Sequence, residues 1–354
     1  MTKQSKGKAS VVPVPRRRRN LVRGVLAVSV VANVVLLAMP GGPAVGAWRS
    51  AEGRAEYVAA YEDVMATLPP PARTHDVPTD YGTVRAYLFA ETGSGAPDAN
   101  ASTSGTAGDA AGTTPVVLLP GWGSGAPMWQ TNLPDLMSER PVYALDALGD
   151  AGMSAQVAPL GSPASQARWI DQTLAGLGVG RAHVVGHSFG GWSAMNYAIH
   201  HPARVASLSL LDPVQTFDTF SVQLVLRSIP SSIPFLPQSW RDAALAGIGG
   251  VTELDPDDPM TRMIAAGTTH YSSRRPTPSR FSPEQLQGLP VPVYAAMAGD
   301  GQVNSDPEAA VRYAEEHLAR SEVSLWPGAS HSLPFEEAEA VDAEILDFME
   351  RHDA

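Results

Sequence analysis

An α/β fold, built as one large domain with an insertion, is what this sequence predicts, and three observations carry the expectation. Four short runs, 115–119, 183–185, 205–211 and 291–298, are apolar almost throughout, as strands buried on both faces tend to be. Helix-compatible runs lie between them, as in an α/β chain. At 183–200 a short strand, a Gly-x-Ser-x-Gly turn and a helix follow one another without a gap. The 354 residues suffice for a full core of that kind.

Composition narrows the function. The chain has no cysteine, which removes disulfides, thiolate zinc sites and a cysteine nucleophile. All three lysines (Lys3, Lys6, Lys8) and five arginines (Arg16 to Arg19 and Arg23) fall within the first 23 residues, which hold no acid. That leaves 17 of the 25 basic residues against all 36 acidic ones, a net of −19. Such a body repels nucleic acid and anionic lipid, so no nucleic-acid partner is expected.

The basic start is explained by targeting. Arg16 to Arg19 precede an apolar run at 24–39, interrupted only by Ser29 and Asn33 and stopped by Pro40-Gly41-Gly42-Pro43. That order is the order of an export signal. Sixteen residues at about 1.5 Å each reach roughly 24 Å, short of the ~30 Å hydrocarbon core. Residues 1–47 are therefore expected to be an export signal first and a single N-terminal membrane anchor second. Positive-inside orientation puts the body outside the cytoplasm in either case, secreted or anchored. Membrane contact is expected through this segment alone.

Residues 48–114 follow as a second region. A helical pattern over 48–68 ends at Pro69-Pro70-Pro71. Runs at 73–77 and 83–90 read as a hairpin, and 91–114 is a low-complexity Gly/Ala/Ser/Thr/Asp stretch expected to form a surface loop or linker. Residues 115–212 continue the core. A helical run at 128–137, a strand at 142–145 and a helix at 164–177 lead to the turn at Gly186-His187-Ser188-Phe189-Gly190. A serine at the tip of such a turn has strained backbone and an exposed hydroxyl, and only small residues at 186 and 190 leave room for the flanking chain.

From about Thr83 to the C-terminus, on this elbow and the elements around it, the sequence resembles the α/β-hydrolase superfamily. The resemblance implies a mostly parallel central sheet flanked by helices, with a helical cap inserted after the sixth strand. It also assigns Ser188 as nucleophile. Pro120-Gly121-Trp122 occupies the loop after the third strand, where members often carry His-Gly. By position, the backbone N–H groups of Trp122 and Phe189 would form the oxyanion hole. Asp146 and Asp150, in a stretch similar to the family's Asp-x-x-Gly-x-Gly-x-Ser loop, are given structural roles.

The expected cap is 213–288, with amphipathic runs at 220–229, 240–248 and 260–269 between prolines. Phe217, Phe220 and Leu224 could line an acyl pocket, though packing of the cap on the core explains them as well. Residues 289–354 complete the core with a strand at 291–298, a helix at 307–318 capped by Asp306, a strand at 323–326 and a final helix at 336–351.

His331, in a Gly-x-x-His loop before that last helix, stands where the resembled family holds its base. His187 is expected, by elbow geometry, to face away from the serine and to pack or hydrogen-bond locally. The acid is open between two residues. Family members mostly place it about three residues beyond the glycine after the seventh strand, but that slot holds Gln302. Asp212, after the sixth strand, is the preferred acid, as in a known variant of the family, and Asp300 is the runner-up.

The chemistry implied is hydrolysis of a small carboxylic ester or similar acyl substrate through an acyl-enzyme, with no metal or organic cofactor. Alternatives are a cofactor-free perhydrolase, lyase or thioesterase on the same fold, or a non-catalytic ligand-binding protein, to which Gln302 lends some footing. Substrate identity and oligomeric state are not legible.

Overall fold

Apolar alternation at two-residue spacing decides how the sheet is covered. In the strand Val116–Leu119, Val117 and Leu119 join one buried cluster while Val116 and Leu118 join another, so each face of the sheet has its own core. A computed structural model describes residues 45–90, 113–220 and 257–353, with isolated positions 237, 239, 240 and 243 between them. The export segment, the low-complexity stretch and the cap runs at 220–229 and 240–248 lie largely outside the described residues.

The strands are β1 (Ala47–Trp48), β2 (Arg73–Thr79), β3 (Gly82–Phe89), β4 (Val116–Leu119), β5 (Val142–Leu145), β6 (Ala155–Gln156), β7 (Ala182–His187), β8 (Val205–Leu211), β9 (Tyr271–Ser272), β10 (Val293–Ala298) and β11 (Ser321–Trp326). The main sheet runs β11-β10-β8-β7-β4-β5-β3-β2, with β6 added to β3. Pairs from β5 to β11 along this order are parallel, and β2, β3 and β6 are antiparallel. Parallel pairing is what buries β4, β7, β8 and β10 on both sides, since crossover helices cover each face.

The helices are α1 (Ala51–Met65), α2 (Leu133–Glu139), α3 (Pro163–Gly176), α4 (Phe189–His200), α5 (Pro259–His270), α6 (Pro283–Gln287), α7 (Pro307–His317), α8 (Leu333–Glu336) and α9 (Ala338–Glu350). α3 and α4 place Trp169, Ile170, Leu174 and Met195 in one cluster. α1, α2 and α9 supply Tyr57, Tyr61, Leu133, Leu136, Ile345 and Phe348 to the other.

One expected helix is broken. The run at 128–137 divides into a 3₁₀ turn, Ala126–Thr131, and α2. A continuous helix would put Pro134 in its interior, where it lacks an N–H and clashes with the preceding turn; starting afresh at Leu133 puts it in the first turn instead. The final helix forms where expected, as α9, with the short α8 just before it. Asp306 caps α7 as expected, accepting from the Ala309 N–H at 2.9 Å.

Of the expected cap runs, 260–269 forms α5, capped by Asp258 and packed against α1. β1 and β9 pair antiparallel, and the Trp48 ring lies against Tyr271 and Tyr57 at 5.1 and 5.0 Å. The N-terminal helix and β1 therefore hold 259–272, a contact that crosses the expected boundaries at 114 and 213.

One buried carboxyl behind the sheet makes stability depend on pH. Asp342 on α9 receives the Asn132 side-chain amide on both oxygens, at 3.0 and 3.1 Å. Burial nevertheless pushes its pKa from 3.8 up to about 8. The folded chain thus keeps a proton that the unfolded chain releases above pH 4, so stability falls as pH rises towards 8, by a few kcal/mol in order of magnitude. Asp342→Asn is expected to raise the thermal midpoint at pH 8 and to flatten the slope of stability between pH 4 and 8, as read by urea unfolding across that range.

Candidate active site

The elbow begins with two glycines that cannot be replaced. A Cβ on Gly186 would lie 2.3 Å from the Gly190 carbonyl oxygen, and one on Gly190 would lie 2.1 Å from the Leu119 oxygen. Between them Ser188 takes φ 56° and ψ −119°, a conformation L-residues rarely adopt. The turn lifts the serine above the C-terminal ends of the parallel strands, where ligands of such sheets bind.

Three other strand ends converge there. His331, after β11, brings Nε2 to 2.9 Å from the Ser188 hydroxyl oxygen. Its Nδ1 lies 2.7 Å from Asp212 Oδ2, at the end of β8. The carboxylate is acceptor-only, so Nδ1 carries the proton and Nε2 is left to accept from the serine hydroxyl. Ser188 and His331 retain slight exposure, 8% and 9%, and Asp212 has none. Among the described residues, neither the Trp122 N–H nor the Phe189 N–H has a hydrogen-bond acceptor. The Trp122 ring is half exposed and meets Phe189 edge-on at 5.7 Å.

Asp212 sits at φ 38°, which turns its carboxylate under the imidazole. Its other oxygen accepts from Asn304 Nδ2 at 2.9 Å, and Asn304 is itself buried. Nothing in the sequence singles out Asn304; only its placement two residues past Gln302 hints at a part. The runner-up acid, Asp300, is exposed, and its backbone N–H is held by the Ala329 carbonyl. The turn after β10 sends that side chain to solvent, so the structure does not bring Asp300 to His331.

His187 packs and hydrogen-bonds as expected, but with a partner distant in sequence: its ring lies 4.7 Å from the His331 ring, and Nε2 donates to the His331 carbonyl at 2.9 Å. Burial first, and the neighbouring imidazole second, pull its pKa down to about 3, so it is neutral at physiological pH. The elbow hides it from solvent and sets its ring, tilted by 36°, against that of the candidate base.

Asp146 and Asp150 have the structural roles expected of them. Asp146 accepts the N–H groups of Ala126 and Met153 at 2.6 Å each, and the Tyr61 hydroxyl. Asp150 accepts the N–H groups of Gly123 and Ala151 at 3.0 and 2.8 Å. Of the candidate pocket residues, Phe217 is buried in the core and Phe220 packs against its edge, while Leu224 lies outside the described residues.

Known proteins share this arrangement of elements. An uncharacterized carboxylesterase, nap, of Bacillus subtilis (strain 168) is 28% identical over 246 residues, spanning 66% of this chain and 78% of its own. Carboxylesterase YbfK of the same organism is 26% identical over 251 residues, 66% of this chain and 79% of its own. The solved structure of naproxen esterase (carboxylesterase NP) from Bacillus subtilis superposes with a TM-score of 0.72 at 22% identity, covering 84% of this chain and 99% of that one. Residues 116–344, well over half of the sequence, match the alpha/beta hydrolase family, and the chain belongs to it.

Proposed function

We propose that this chain hydrolyses small carboxylic esters through Ser188, His331 and Asp212. The observation that carries the reading is the unbroken line of hydrogen bonds from serine to imidazole to a fully buried carboxylate. Similarity to two carboxylesterases supports the substrate class. In this mechanism Ser188 attacks the ester carbonyl as His331 Nε2 takes its proton. Asp212 holds the tautomer and stabilises the imidazolium. The N–H groups of Trp122 and Phe189 receive the developing O⁻, and His331 passes its proton to the leaving alcohol. A water deprotonated by the same imidazole then releases the acid.

A non-catalytic binding role drew on the uncharged Gln302. The carboxylate of Asp212 removes that ground. The export reading of residues 1–47 rests on the basic and apolar runs there, and we place the body of the protein outside the cytoplasm on that basis.

The test is a series of p-nitrophenyl esters of increasing acyl length with the whole chain, beside labelling by a serine-directed fluorophosphonate. Saturable turnover and labelling of Ser188 are expected. Neither turnover nor labelling, in folded protein, would reject the reading.

A further inference from the structure

Two buried charges outside the Ser188–His331–Asp212 line reach both halves of the proposed oxyanion hole. Asp150 accepts the Gly123 N–H, and Gly123 directly follows Trp122. Arg275, from the segment after β9, lays its guanidinium over the Phe189 ring, 3.8 Å from the centroid. The two charges face each other: Arg275 Nη1 stands 3.9 Å from Asp150 Oδ2, and the side chains are only 3% and 4% exposed. Arg275 Nη2 also donates to Ser193 Oγ on α4 at 3.1 Å and to Gln166 Oε1 on α3 at 3.4 Å.

Such a pair is costly to bury. Desolvation pulls the guanidinium down to about 10 and pushes the Asp150 carboxyl up, against the attraction of its partner. Arg275 Nε is left without an acceptor among the described residues. A pair of apolar side chains would fill this volume at lower cost, so packing alone does not account for it. What the charges do that apolar groups could not is hold a backbone N–H and an aromatic face in fixed positions.

We propose that Asp150 and Arg275 together position the oxyanion hole, Asp150 by holding the Trp122 loop through Gly123 and Arg275 by pinning Phe189. The inference rests on the esterase reading. Neither residue touches the substrate. They act through two amides that must meet the developing O⁻ at hydrogen-bond distance, where an error of about 1 Å is enough to lose ~10²-fold in rate.

The test compares a p-nitrophenyl ester with its thionoester, whose sulfur is a poorer acceptor of N–H hydrogen bonds. Arg275→Met, Arg275→Lys and the doubly neutral Asp150→Asn/Arg275→Met are assayed in the whole chain. The double variant carries the comparison should a single change leave an unpaired charge that unfolds the protein. Removing the pair is expected to lower kcat on the oxygen ester by ~10², with KM within about threefold, as loss of an oxyanion donor does. The thionoester should lose far less, so the ratio of the two rates contracts about tenfold. Arg275→Lys keeps the charge without the flat stacking surface and should fall between. A structural defect lowers both substrates equally, so an unchanged ratio in folded variants would overturn the proposal while leaving the esterase reading intact. Absence of turnover in the unaltered chain would reject that reading instead, and this one with it.

Discussion

Replacing Ser188 with alanine is expected to lower kcat on a p-nitrophenyl ester by ~10⁶, with the fold unchanged. The size follows from how these groups act: once the hydroxyl is gone, the imidazole has nothing to deprotonate and only ground-state binding and the oxyanion amides remain. The backbone gives a second readout at the same position. At φ 56° both serine and alanine are strained, so Ser188→Ala should keep a thermal midpoint close to that of the unaltered chain. Ser188→Gly relieves the strain and should raise stability by ~1 kcal/mol while being just as inactive. Stability gained with activity lost is the signature of a residue held in place for chemistry. Residual turnover above a hundredth of the starting rate would mean that another nucleophile does the work.

The second large effect is expected at Asp212. Asparagine tolerates a positive φ and can still accept from Asn304, so Asp212→Asn should fold. Its amide, however, offers a donor where His331 Nδ1 needs an acceptor. The imidazole is driven to the other tautomer, with a proton on the nitrogen that should receive one from Ser188. A fall in kcat of ~10⁴ is expected by analogy with other serine triads. Asp300→Asn, at an exposed side chain with no contact to His331, should stay within about twofold. Similar, mild losses in both variants would reject the assignment of the acid.

The expected strands were legible because burial on both faces leaves an unmistakable apolar run, and the structure places β4, β7, β8 and β10 within a residue or two of them. The elbow was legible because its Gly-x-Ser-x-Gly pattern sits directly between an apolar strand and a helix-compatible run, although Gly190 is in fact demanded by the distant Leu119 carbonyl. What escaped sequence reasoning depends on contacts between distant elements. Asn304 matters only because β8 and β10 are neighbours in the sheet. Arg275 is invisible until α4 and the segment after β9 are packed together. The partner of His187 was not legible because the His331 carbonyl it meets lies 144 residues on. The helix break before Leu133 was missed for a local reason: apolar spacing continued through Pro134 although a single helix could not.

The ribbon of β1 and β9 carries a consequence for entry to the site. With Ala47 and Trp48 stitched to Tyr271 and Ser272, and α5 lying along α1, the stretch 259–272 is bolted to the body at its back. A swing of this stretch would have to break both the β1–β9 pairing and the packing of α5 on α1. Removing the N-terminal residues through Trp48 would loosen that hold.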